Sequence, residues 1–308
     1  MLANKGLQFR LWDGTAEGDI PKSLLKGLQT IFYKTYKAVP TYFQDVAMIV
    51  NSTAHQENYA WIGQAPQMRE FGAERIPKGL SDFGFSIINK EFESSIRVKR
   101  TALEDDQTGQ IRIRVEAMAD KAAKYKDRLV FGLLELGISS ACYDGANFFS
   151  ASHSEGLSGT QSNYATVALS AAQYGVVRAA MMQFKDDSGD LCGITPSHLV
   201  VPPALEATAR AILNADFISD GTTTVSNVWK GSAQLIVVPY LTDTNDWYLM
   251  DLTAPVKPII LQIRNDVEFS ALERDSEQGF MRRDYLYGIY MRCNVGYGDW
   301  RYAFGSHV

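Results

Sequence analysis

Cysteine is scarce in this chain. Its 308 residues include three, Cys142, Cys192 and Cys293, widely spaced and odd in number. That argues against a disulfide framework and a cysteine-based zinc site, and makes a reducing cytosol the simplest place of synthesis. Histidine is nearly as rare, with four (His55, His153, His198, His307) and no H-x-x-x-H or H-E-x-x-H pairing to hold a metal. The phosphate-cradling patterns G-x-x-x-x-G-K-[ST] and G-x-G-x-x-G are missing, as is the G-x-S-x-G elbow of serine hydrolases. No apolar run approaches the ~20 residues that span a bilayer. The opening MLANKGLQFRLWDG lacks the apolar core of a signal peptide. Excess positive charge is missing too: the net charge is −5, against a general affinity for nucleic acid. The basic run Arg97, Lys99 and Arg100 is followed at once by Glu104, Asp105 and Asp106, which reads as a solvated strand end.

What is present is the composition of a folded protein, 46% hydrophobic and 21% charged. A chain this long buries roughly three quarters of its unfolded surface, so its core needs no staples. It fits two domains or one large domain with insertions. The most informative stretch is 49–106. It is a long polar excursion punctuated by Gly63, Pro66, Gly72, Pro77, Gly79 and Gly84, and it carries Arg69, Glu70, Glu74, Arg75 and Lys78. An extended hairpin cannot bury its own faces, so a compact enzyme has little use for one. A subunit that lies over its neighbours does.

Residues 1–20 show no period and read as an arm. Leu24, Leu25, Leu28, Ile31 and Phe32 predict an amphipathic helix over 23–36. Alternation predicts a strand over 92–98. Thr101 and Glu104 then fit a capping box, and Ile111, Val115, Met118, Ala122, Tyr125, Leu129, Leu133 and Leu136 form one apolar stripe, interrupted by Gly109. A helix over 101–136 would run ~50 Å and serve as a spine, with Gly137 as its stop. Ser170 can cap a helix over 171–184, and 204–214 is also helical. Strands are predicted at 199–201, 234–238 and 247–250, with an exposed loop at 217–229, and strands dominate beyond 258.

The best catalytic-looking cluster is C-Y-D-G-A-N-F-F-S-A-S-H, with Cys142, Asp144 and His153, a conceivable Cys–His nucleophile or part of a metal site. A structural role is the stronger reading. The cysteine ends a helical run instead of starting one, where the dipole would activate it, and D-G is a plain turn signal. The acidic runs at 104–106 and 185–190 fit a helix first turn and a turn after a helix. The second lacks EF-hand spacing.

The chain resembles the Mu-like prophage major head subunit family, the gpT-type capsid proteins of tailed phages. The matching pieces keep one order over most of the chain: IVNST, NYAWIG, MREFGAER, GFSIINKEFESSIRVKR, LEDDQTG, CYDGANFFSASH, MQFKDDSG, HLVVPPALEATARAILN, WYLMD and YLYGIYMRCNVGYGDW. The resemblance implies an α+β fold of the Hong Kong 97 type. Onto it fall an arm at 1–45 and a peripheral domain at 46–165, with an extended loop at 63–92 and a spine helix at 101–136. An axial domain at 166–255 and strands returning to the peripheral domain at 256–308 complete it.

The implied function is a major capsid protein that self-assembles into hexamers and pentamers of an icosahedral shell around double-stranded DNA. It needs no cofactor or metal, and no membrane. The implied partners are itself, a scaffold, a portal and, in some relatives, a maturation protease or decoration proteins. The location is the virion, after synthesis in the host bacterial cytoplasm. The short arm favours a separate scaffold over a fused one, and no residue supports covalent crosslinking. Arg69, Glu70, Glu74, Arg75 and Lys78 are the expected ion-pairing residues of the extended loop. The loop bounded by Phe217 and Trp229 is expected near the symmetry axes. The alternatives are a capsid-fold nanocompartment and a soluble hydrolase using Cys142, Asp144 and His153.

Overall fold

The computed structural model describes residues 22–59, 85–99, 101–102, 109–219, 223–272 and 281–308. Its helices include α1 (Lys22–Ala38), α2 (Phe43–Val46), α3 (Gln110–Glu135), α4 (Ala171–Met182) and α5 (Glu206–Asn214). The strands are β1 (Ala47–Asn51), β2 (Gln56–Asn58), β3 (Ser86–Ile88), β4 (Lys90–Lys99), β5 (His153–Ser154), β6 (Thr160–Gln161), β7 (Tyr164–Ala165) and β8 (His198–Val201). They continue with β9 (Phe217–Ser219), β10 (Thr224–Ser226), β11 (Gln234–Val237), β12 (Trp247–Met250), β13 (Ile259–Leu272), β14 (Asp284–Tyr297) and β15 (Ala303–Ser306). One sheet has the order β1-β13-β14-β4, with β1 and β13 parallel. A second, mixed sheet has the order β11-β8-β12-β15-β7.

The chain divides into two compact units. The first comprises 1–39, 93–123 and 267–290. Its buried apolar residues include Leu28 and Phe32 of α1, Val98 of β4, Val115 and Ala119 of α3, and Phe269 and Tyr287 of the two long strands. The helical period turns Leu28 and Phe32 to one face, and the Phe32 ring sits 5.2 Å from that of Phe269. The Tyr33 hydroxyl completes the seat, accepting from the Phe269 amide at 3.2 Å and donating to the Val267 carbonyl.

The second unit comprises 40–92, 124–266 and 291–308. Its core is the mixed sheet. All four residues of β12, Trp247 to Met250, are buried, as are Leu199, Val200 and Val201 of β8. Such continuous apolar runs mark strands covered on both faces. The cover includes Tyr174, Val177 and Met181 of α4, and Ala209, Ile212 and Leu213 of α5. Ser170 starts α4 as its sequence predicts: extended at φ −147°, it accepts from the Gln173 amide.

Two expectations change. The stripe over 101–136 is not one helix, because Gly109 stands at φ +70°, a left-handed conformation that interrupts helical geometry. The helix proper begins at Gln110 and runs 26 residues. Gly137 does fall in the turn after it, where a side chain would strike the Phe149 ring 2.5 Å away. The C-terminal strands also divide their pairing: β13 and β14 join β1 and β4, whereas β15 lies between β12 and β7.

Candidate assembly surfaces and a closed polar cluster

Arg69, Glu70, Glu74, Arg75 and Lys78, and most of the expected extended loop, lie outside the described residues. The root of that loop is described. Beta2 and β3 pair antiparallel, Glu57 opposite Ile87, and the Tyr59 amide bonds the Phe85 carbonyl at 2.8 Å. A buried chain of amides and hydroxyls fixes this pair to the four-stranded sheet. The Tyr59 hydroxyl donates to Gln262 Oε1 at 2.8 Å, and Gln262 Nε2 donates to Asn89 Oδ1 at 2.8 Å. Asn89 Nδ2 in turn reaches Ser52 Oγ and the Ala54 carbonyl, both at 2.9 Å. Burial pushes the Tyr59 phenol up to about 12, with the Glu57 charge adding to it, so the tyrosine stays a neutral donor. Glu57 closes the preceding turn, accepting from the Thr53 and Ala54 amides and from Ser52 Oγ, and those bonds hold its carboxyl below the usual range.

The segment expected as an irregular loop between Phe217 and Trp229 is a hairpin. Beta9 and β10 pair antiparallel with Phe217 opposite Ser226. Its β-branched run Thr222-Thr223-Thr224-Val225 beside the turn pair Asp220-Gly221 was the sequence signal for this. The two named residues behave differently. Phe217 is 63% exposed. Trp229 is partly buried: its ring lies edge-on to Tyr174, centroids 5.6 Å apart, and occupies space that a Cβ on Gly175 would need. Asn227, not singled out in the sequence, positions both. Its Nδ2 donates to the Ile212 and Ala215 carbonyls at the end of α5, at 2.8 and 2.9 Å, while its Oδ1 accepts from the Trp229 amide. Lys230 pairs with Asp216 across the hairpin base.

Cys142, Asp144 and His153 belong to a closed structural cluster. Burial, reinforced by Asp144, holds the Cys142 thiol well above its ordinary range, and its Sγ donates to the Gly298 carbonyl at 3.7 Å. A thiol so held is a poor nucleophile. The ring nitrogens of His153 are both engaged elsewhere, Nδ1 with Asp144 at 2.6 Å and Nε2 with Asn163 Oδ1 at 3.1 Å. The ring itself stacks on Trp300 at 4.0 Å. Beside it, Arg301 pairs with Glu155 at 2.9 Å and Asp299 at 3.3 Å, and donates to the Tyr143 hydroxyl at 2.8 Å and the Lys185 carbonyl at 3.0 Å. Burial raises Asp299 despite that guanidinium. Among the described residues, no group of three His, Cys, Asp or Glu side chains could hold a metal ion. No described helix is long and apolar enough to cross a membrane.

The two units, the long helix and the paired strands together define a viral shell subunit of the Hong Kong 97 type. The chain superimposes on the procapsid of bacteriophage JBD30 with a TM-score of 0.55 at 28% identity, covering 94% of this chain and 76% of that one. A virus-like particle from Pyrococcus furiosus shares the fold at 10% identity, with a TM-score of 0.54 and coverage of 92% and 99%. Within this class the chain belongs to the family described as Mu-like prophage major head subunit gpT, matched over residues 22–168, 160–241 and 242–308. It is 27% identical over 288 residues to the Mu-like prophage FluMu major head subunit of Haemophilus influenzae, covering 92% of this chain and 72% of that protein. To the major capsid protein of Escherichia phage Mu it is 28% identical over 298 residues, covering 70% and 98%. The chain is therefore a phage or prophage major capsid protein, a structural component of the virion shell and not an enzyme.

Proposed function

We propose that copies of this chain close into hexamers and pentamers of an icosahedral shell around double-stranded DNA, with the extended loop lying across the neighbouring subunit of the same capsomer. The arm takes the bounds 1–45 and the peripheral region 46–165 with β13 and β14, while β15 joins the sheet of the axial region at 166–255. Assembly takes place in the host bacterial cytoplasm with a scaffold, a portal and, in a mature particle, a protease or decoration proteins. The observation that carries the loop's role is its root. A polar segment of Arg69, Glu70, Glu74, Arg75 and Lys78 leaves and returns through a strand pair fixed by Tyr59, Gln262, Asn89 and Ser52. A fixed root gives the loop a defined direction. Exposed ion pairs add only ~0.2–1 kcal/mol each, so around a ring they set register more than strength.

Deleting residues 72–84 tests this. The expected product is a soluble subunit with unchanged thermal unfolding that yields no closed shells by negative-stain electron microscopy. Shells of normal size and yield from that variant would overturn the assignment.

A further inference from the structure

We propose that the outward face of α1 is a contact surface for the phosphates of duplex DNA, with Lys26, Lys34 and Lys37 as the contacting groups. This rests on the reading that the shell encloses DNA, and it names where the chain meets that cargo. Acidic residues number 35 in the 308, about one in nine, yet none occurs over 20–44, a stretch holding Lys22, Lys26, Lys34 and Lys37. The apolar side of α1 is committed inward through buried Leu28 and Phe32. Lys26, Thr30, Lys34 and Lys37 are exposed on the other side. With Gln29 and Tyr33 they line a shallow groove of about 550 Å³. Among the described residues no carboxylate pairs with these lysines, although the same unit pairs Arg97 with Asp284 and Arg112 with Glu116.

The chemistry of the face selects the partner. Tyr33 has its hydroxyl engaged by Val267 and Phe269, so it adds no free donor. None of the large exposed apolar residues falls on the described part of this helix. A protein partner is held by a cluster of apolar or aromatic side chains, and lysine is depleted there; this face sets three lysines around the single ring of Tyr33. Lysine ammonium is a hydrated point charge without arginine's planar fork, suited to a backbone read by charge alone. Lys26 to Lys37 spans ~16 Å along the helix, and duplex DNA carries a charge about every 1.7 Å. Three phosphates are within reach without any distortion of the duplex. Since the whole chain is net negative, attraction to phosphate has to come from a local face such as this one.

The test uses the purified full-length chain and the variant Lys26→Gln/Lys34→Gln/Lys37→Gln. Binding to a 30-base-pair duplex is followed by fluorescence anisotropy from 50 to 200 mM salt. Three lysine contacts give a log–log salt slope of about −2.7, or about 40-fold weakening over that range. The variant's slope is expected to be shallower by about 2.7, about 0.9 per lysine, with a Lys→Arg triple variant retaining the steep slope. Particles of the glutamine variant are expected at normal size by electron microscopy. An unchanged slope overturns the proposal. So does tighter binding of polyglutamate than of duplex, or failure of the glutamine variant alone to form shells, since either makes the face a protein contact. If the unaltered chain itself forms no shells under any assembly condition, the shell reading fails instead.

Discussion

Asp127 shows how one side chain can tie pH to stability in this subunit. It sits on α3, and its Oδ1 accepts from the Tyr42 and Phe43 amides at 2.9 and 2.8 Å, holding the first turn of α2. Its Oδ2 is buried without a hydrogen-bond partner. Burial raises the carboxyl above its usual range, and the two amides only partly oppose this. The folded state therefore binds this proton more tightly than the unfolded state does. The stability that follows is fully present below the ordinary carboxylate value and is lost as pH rises through the raised folded value. Asp127→Asn keeps the acceptor and removes the titration. Urea unfolding of the unassembled subunit between about pH 4 and pH 7 should show the variant gaining on the parent as pH rises, then levelling off. A constant difference across that range would sink the idea. Asp127→Ala, which strips both amides of their acceptor, should cost about 1–3 kcal/mol throughout.

At the scale of elements, the parts legible in the sequence were those decided locally. Ser170 and the apolar period of α4, the β12 run Trp247 to Met250, and the α1 stripe each follow from residues within a few positions of one another. Gly109 was visible as an interruption, but only the backbone shows that it separates the helix from what precedes it. The loop root was not legible. Tyr59 and Gln262 lie 203 positions apart, and nothing local marks a tyrosine and a glutamine as partners. The same holds for Arg301, whose acidic partner Glu155 comes from a distant turn. The proximity of Cys142, Asp144 and His153 suggested chemistry, because spacing along the chain says nothing of which atoms face each other. Gln262→Leu checks the root. It breaks the links to Tyr59, Asn89 and the Ile87 carbonyl, at a cost of about 1–3 kcal/mol. Amide exchange at Tyr59 and Asn89, whose N–H groups bond Phe85 and His55, should speed up well before that of β12. Equal acceleration at both places would mean that the network stabilises the whole unit and not the root.

For the whole molecule, the proposed shell of hexamers and pentamers requires one sequence to occupy both five- and six-membered rings, so some contact must tolerate a change of angle. We propose that this tolerance lies at the exposed apolar side chains of the β9–β10 hairpin and the residues that follow it. Its base is rigid, held by Asn227 on the end of α5 and by Trp229 against Tyr174 and Gly175. Its outer surface carries Phe217 at 63%, Val225 at 38% and Val228 at 76% exposed. A rigid base with apolar side chains exposed beside it allows a neighbour to pivot on packing alone, since apolar contact has no preferred direction, whereas an ion pair or hydrogen bond would fix one angle. Phe217→Asp separates the two roles. The substitution is exposed, so the unassembled subunit should unfold within about 0.5 kcal/mol of the parent. Its particles, sized by electron microscopy, should shift toward open rings or shells of altered diameter. Trp229→Ala should do the reverse, lowering subunit stability first, because it empties the seat on α4. If Phe217→Asp yields shells of the parental size distribution at parental yield, this apolar surface is not where curvature is absorbed, and the pivot belongs to another contact.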